Sequence, residues 1–113
     1  MDLQVLECVK QLAQGEQVAL VSIVRTRGSS PRKAGAQILF YPDGRTVGTI
    51  GGGCGEAEVK TRALIALRSM NPEVYELNLS ADIAEDEGMV CGGTMEVFIE
   101  PLKGSAGEPI KKE

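Results

Sequence analysis

Three consecutive glycines followed by a cysteine, Gly51-Gly52-Gly53-Cys54, stand between a β-rich stretch and a helical one. Glycines at a strand-to-helix junction let the backbone approach a ligand closely and turn successive N–H groups into a concavity, while the helix N-terminus adds partial positive charge. Such a place suits an anion or a thiolate. A cysteine where the helix begins has its thiol drawn toward the ionised form, which is both nucleophile and soft metal ligand. The same residues also suit a plain tight turn with Cys54 as a buried cap. A second thiol beside two glycines, Cys91-Gly92-Gly93, precedes the last apolar alternation. Whether the two thiols meet depends on the fold.

Four cations, Arg25, Arg27, Arg32 and Lys33, fall within nine residues of a chain that is acidic elsewhere, and Gly28, Ser29 and Ser30 lie between them. Guanidinium forks with hydroxyl and backbone donors suit an oxyanion such as a phosphate; a solvated surface loop is the plainer reading. Glu56 faces Lys60 at the i,i+4 helical spacing, an ordinary stabilising pair, and its closeness to Cys54 also suits a supporting role at the thiol. Glu58, two positions on, points elsewhere on a helix, so the two acids make a poor acid/base couple. From Ser69 to Leu102 there is no Lys or Arg but eight Asp or Glu, which reads as a solvated acidic face or a dock for a basic partner.

Several classes are excluded. No Lys-Ser or Lys-Thr follows the glycines and the GxGxxG spacing is missing, which weakens both nucleotide-loop readings. The chain has no His and no CxxC pair, against a tetrahedral zinc site in one chain. A net charge of -4 and 4% aromatic residues argue against nucleic-acid binding, which draws on cations and stacking platforms. The acidic N-terminal stretch is not a secretory signal, and the longest apolar run, Val18 to Val24, is far short of the ~20 residues that span a bilayer. Three widely spaced cysteines suit free thiols in a reducing compartment. The expectation is a cytoplasmic protein with no membrane role.

The elements that must hold these groups are legible from periodicity. Leu3, Leu6, Val9 and Ala13 predict an amphipathic helix ended by Gly15, with Cys8 packing beside Val5 and Leu12. Gln17 to Thr26 predicts a buried strand; Gln37 to Tyr41 and residues 45–50 predict a hairpin around Pro42-Asp43-Gly44. Val59, Ala63, Ala66, Leu67 and Met70 predict a helix after the glycines, stopping near Asn71-Pro72. Two alternating strands follow, Val74 to Leu79 and Met95 to Glu100, separated by an acidic loop. The order predicts an α+β domain over residues 1–102, with two helices packed on a mixed sheet of about five strands, and a polar, poorly ordered tail over 103–113. Should the third and fourth strands share the sheet, the helix between them makes a right-handed parallel crossover.

Taken together, Arg25-Thr-Arg-Gly-Ser-Ser-Pro-Arg-Lys-Ala-Gly-Ala, then Asp43-Gly-Arg-Thr-Val-Gly-Thr-Ile-Gly-Gly-Gly-Cys-Gly-Glu, then Cys91-Gly-Gly resemble the XdhC/CoxI family. These accessory proteins mature molybdenum hydroxylases such as xanthine dehydrogenase and carbon monoxide dehydrogenase. The matching motifs span roughly residues 18 to 100. The resemblance implies binding of the molybdenum cofactor, a pterin dithiolene bearing a phosphate, its protection while a terminal sulfido ligand is installed, and its delivery to the apo-enzyme. Arg27, Ser29, Ser30, Arg32, Gly51, Gly52, Gly53, Cys54, Glu56, Cys91 and Gly92 are then the expected cofactor-binding residues. Cys54 is the expected metal contact, and Cys54 and Cys91 are the expected thiols in any sulfur exchange.

Two departures from the family pattern stand out. Longer members continue into a C-terminal Rossmann-like domain, so this chain looks like the N-terminal family domain standing alone or a short paralogue; and Gly55 replaces a usual Val, which is expected to loosen the helix start. The partners implied are an apo molybdenum hydroxylase, a cysteine desulfurase as sulfur source, a separate family member supplying the Rossmann-like domain, and a second copy of the chain. Two function classes follow. One is a non-catalytic carrier or chaperone for the molybdenum cofactor, which the resemblance favours; the other is a small sulfur-transfer or redox enzyme using Cys54 and Cys91. An assembly protein whose glycine loop is purely structural is a third.

Overall fold

The computed structural model of the chain describes residues 3–28, 34–48, 55–78, 83–84, 89–90 and 93–104. Helix α1 (Leu3–Lys10) leads into strand β1 (Gln17–Arg27), followed by β2 (Gln37–Phe40) and β3 (Thr46–Gly48). Helix α2 (Glu56–Ser69) precedes β4 (Glu73–Asn78), a two-residue ribbon formed by β5 (Ile83–Ala84) and β6 (Met89–Val90), and β7 (Thr94–Lys103). The main sheet has the order β3-β2-β1-β7-β4, giving the α+β domain of two helices and five sheet strands that the periodicity implied.

Every neighbouring pair in this sheet is antiparallel, where a mixed sheet was expected. The reason is that α2 does not return the chain to a strand beside β3. It carries the chain from one edge, β3, to the other, β4. These two strands share the sheet and run in the same direction, but three strands lie between them.

The two sides of the sheet divide the apolar residues by parity. Ala19, Val21, Ile23, Ile38, Phe40, Leu77, Met95, Val97 and Ile99 point to one face and meet Val59, Ala63, Ala66 and Leu67 of α2. Val18, Leu39 and Tyr41 point to the other and meet Val5 and Leu12, with Cys8 half-buried against them as a packing residue. Helix α1 is shorter than its apolar spacing suggested, ending at Lys10. Helix α2 ends as expected before Asn71-Pro72, with Met70 as its left-handed cap (φ 56°) and the Met70 N–H donating to the Ala66 carbonyl at 2.7 Å.

The hairpin at Pro42-Asp43-Gly44 forms as predicted. The Gly44 N–H donates to the Tyr41 carbonyl, the Tyr41 N–H to the Arg45 carbonyl (both 2.9 Å), and Asp43 Oδ1 accepts from the Arg45 N–H at 2.9 Å. The Arg45 guanidinium stacks 4.1 Å from the Tyr41 ring centre. At the sheet's other margin, α2 is fastened to β4 by Arg62, which pairs with Glu73 and lies 4.7 Å from the Tyr75 ring centre, and by the Tyr75 hydroxyl, which donates to Glu58.

Candidate functional site

Strands β1, β3 and β4 all run toward the end of the domain at which α2 and β7 begin. This direction follows from the alternation of strands and from the single helical crossover. The sequence segments singled out for chemistry adjoin described residues there: Ser29 and Ser30 follow Gly28, Cys54 precedes Gly55, and Cys91 and Gly92 precede Gly93.

Gly28 and Gly93 are in backbone contact at this end. Both have positive φ, 82° and 81°; a β-carbon on Gly93 would come within 1.9 Å of the Arg27 carbonyl oxygen, and one on Gly28 within 2.7 Å of the Gly93 α-carbon. No side chain fits there, so the arginine motif and the Cys91-Gly92-Gly93 motif are bound to each other through their glycines.

Of the expected site residues, Arg27 and Glu56 lie among the described ones. Arg27 is the last residue of β1, exposed, and faces away from α2; Glu56 is the half-buried first residue of α2. The helix start differs from expectation. Gly55 is buried and adopts φ 78°, ψ -7° as the N-cap, a conformation in which a β-branched residue is strained. Glycine therefore shapes this start and does not loosen it. Among the described residues no side chain caps the helix, and its first-turn N–H groups, with the dipole behind them, meet no side-chain acceptor there. The expected residues Ser29, Ser30, Arg32, Gly51, Gly52, Gly53, Cys54, Cys91 and Gly92 lie outside the described residues, as does the tail from 105. Among the described residues no group of three or more His, Cys, Asp or Glu side chains is placed to hold a metal ion.

A feature the sequence reading missed is a β-bulge. Ile23 pairs with Val97, but the next paired residue is Arg25, opposite Glu96, and Val24 is left over. Strict alternation would put Arg25 and Arg27 on the α2 face with Val21 and Ile23. The extra residue turns both to the opposite face, where Arg25 Nε lies 3.6 Å from Glu96 Oε1. There Arg25, Arg27, Glu76, Thr94 and Glu96 line a cleft of about 130 Å³. Nothing in the sequence signalled it, since Val24, 49% exposed in the structure, belongs to the apolar run.

The acidic stretch is likewise not one face. Glu73 lies on the α2 side with Arg62, while Glu76 and Glu96 stand opposite each other on the far side.

The arrangement defines an α+β domain with guanidinium groups, a glycine-started helix and glycine-joined motifs at one end. The chain belongs to the XdhC and CoxI family, whose pattern it matches over residues 11–78. It is 33% identical over 93 residues to a protein of Bacillus subtilis (strain 168) named as a probable xanthine dehydrogenase subunit, covering 80% of this chain and 28% of that protein. It is 41% identical over 104 residues to the molybdenum cofactor insertion chaperone PaoD of Escherichia coli (strain K12), covering 86% and 30%. The crystal structure of a xanthine dehydrogenase from Bacillus halodurans superposes with a TM-score of 0.69 at 32% identity, over 86% of this chain and 29% of that one. The chain thus spans under a third of the length of these relatives.

Proposed function

We propose that the chain is an accessory protein that binds the molybdenum cofactor and assists its sulfuration and its insertion into a molybdenum hydroxylase. The observation that carries this reading is the Gly28–Gly93 contact, which joins the arginine motif to the Cys91 motif at the end where α2 begins. It is supported by the similarity to a protein named as a molybdenum cofactor insertion chaperone.

Two sets of donors at this end fit the anionic part of such a cargo: the Arg27 guanidinium on the face away from α2, which suits a phosphate, and, on the other face, the first-turn N–H groups of α2. The soft partner for molybdenum is assigned to Cys54, with Cys91 as the second thiol in sulfur exchange. Glu56, Ser29, Ser30, Arg32 and the glycines of both motifs complete the proposed surround.

Anaerobic incubation with purified cofactor, followed by pterin fluorescence and metal analysis of the retained fraction, tests the reading. Retention by wild type, weakened in Cys54→Ala, supports it. A stoichiometric persulfide on Cys54 with no cofactor retained would point instead to a sulfur-transfer enzyme.

A further inference from the structure

We infer that the cleft lined by Arg25, Arg27, Glu76, Thr94 and Glu96 is the subsite for the pterin end of the cargo, with Glu76 accepting hydrogen bonds from the ring's amino-pyrimidinone edge; this rests on the carrier reading above. The cleft is a consequence of register. On the sheet face away from α2, β1, β7 and β4 present two successive cross-strand rows: Arg25, Glu96 and Glu76, then Arg27, Thr94 and Asn78. The rows are about 7 Å apart along the strands, within the reach of one fused ring and its substituents.

Charge within the rows is unbalanced. Arg25 is committed to Glu96, and Glu76 stands directly opposite Glu96, where like charges repel. Among the described residues Glu76 has no ion-pair partner, and neither has Arg27 in the next row. The β-bulge at Val24 is what brings the two arginines to this side.

A guest matched to this grid carries a donor-rich edge at one end and an anion at the other. The amino-pyrimidinone edge of a pterin offers two adjacent N–H donors, the geometry a carboxylate accepts in a forked pair. The phosphate of the same molecule lies on the opposite side of the ring system, toward Arg27 in the second row. The volume agrees: about 130 Å³ is well under the ~300 Å³ at which pockets begin to enclose whole ligands, so the cleft takes one part of the cargo. Among the described residues no helix covers this part of the sheet; α1 packs against β2 and β3, and α2 lies on the other side.

The test uses the unsubstituted ring. Pterin and lumazine differ in that lumazine has an oxo group where pterin has its 2-amino group. Each is titrated fluorimetrically at pH 7 into the full chain, wild type and Glu76→Gln. The expected result is an approximately tenfold preference of wild type for pterin, the size of a hydrogen bond to a charged group, erased in Glu76→Gln. Because that substitution relieves the repulsion with Glu96, its urea midpoint should not fall, which separates lost binding from lost fold. Equal binding of the two rings by wild type, or a preference that survives in Glu76→Gln, overturns the subsite. Whole-cofactor retention measured in parallel separates the two readings. Retention without pterin preference overturns the subsite and leaves the carrier; neither retention nor preference overturns both.

Discussion

The α-carbon of Gly93 sits so close to the end of β1 that a methyl group on it would lie 1.9 Å from the carbonyl oxygen of Arg27. This contact closes the top of the β1–β7 ladder, one residue beyond the Arg27–Thr94 pairing, and it fixes where two motifs far apart in sequence leave the sheet.

Gly93→Ala should therefore be costly, by about 2 kcal/mol or more, since two backbones must separate and the residue has positive φ. Gly35→Ala is the matched control: its φ is +97° but nothing lies within 4 Å of the added carbon, so about 1 kcal/mol is expected. Urea denaturation midpoints compare the two directly.

Deleting Val24 should be mild. The pairings of Ile23 with Val97 and of Arg25 with Glu96 are already adjacent on β7, so removal of the bulged residue leaves a regular ladder with both arginines on the same face. A loss within about 1 kcal/mol is expected, against several kcal/mol for deleting Val97, which turns buried neighbours to the wrong side. Similar losses for the two deletions would refute the bulge.

Arg62 ties α2 to β4 through Glu73 and the Tyr75 ring, at the cost of a buried Nε with no hydrogen-bond partner among the described residues. Arg62→Ala should destabilise by about 1–2 kcal/mol, and Arg62→Met, which keeps the apolar stem, by less. A double-mutant cycle with Glu73→Gln should give a coupling of about 1 kcal/mol that shrinks in 1 M salt.

Both tyrosines of the chain are held protonated beyond their ordinary range, Tyr75 chiefly by its hydrogen bond to Glu58 and Tyr41 chiefly by burial and then by Cys8. The folded state therefore keeps these protons after the unfolded chain has lost them. Their contribution to stability is complete below pH ~10 and declines as pH rises above it. In an ultraviolet titration Glu58→Gln should lower one of the two phenolic transitions and leave the other.

Asp43 has the opposite sign. The Arg45 amide, and then its guanidinium, hold the Asp43 carboxyl below the usual carboxylate range. Its contribution is present above pH ~3.9 and is lost as pH falls through the lower folded value. Asp43→Asn should flatten the acid limb of the stability curve, read by thermal melts from pH 5 to 2.

Much of this architecture was legible in the sequence because each element carried its own period. The hairpin around Asp43 and Gly44, the alternation in β4 that buries Leu77 while leaving Val74 58% exposed, and the stop of α2 before Pro72 all come from local rules. The antiparallel sheet was not legible, since strand neighbours depend on how far α2 reaches and not on any residue within it. Nor was the bulge, because Val24 reads like any other member of an apolar run. Of the candidate site, the motifs were visible, and so was the place of Arg27 within one of them. The role of Gly93 was hidden, because its partner is a carbonyl some 65 positions away, and Glu76 read as one more acid in a charged stretch.

The two long strands at the middle of the sheet are β1 and β7, which pair Gln17 with Lys103 and Arg27 with Thr94. The chain must have been synthesised as far as Thr94 before the first of these hydrogen bonds can form. Until then the row of Ala19, Val21 and Ile23 on β1 has only the short β2 beside it. Closing such long loops is slow. The nascent domain should consequently depend on protection of β1 until β7 leaves the ribosome, and chains stopped before β7 should be aggregation-prone and not partly functional.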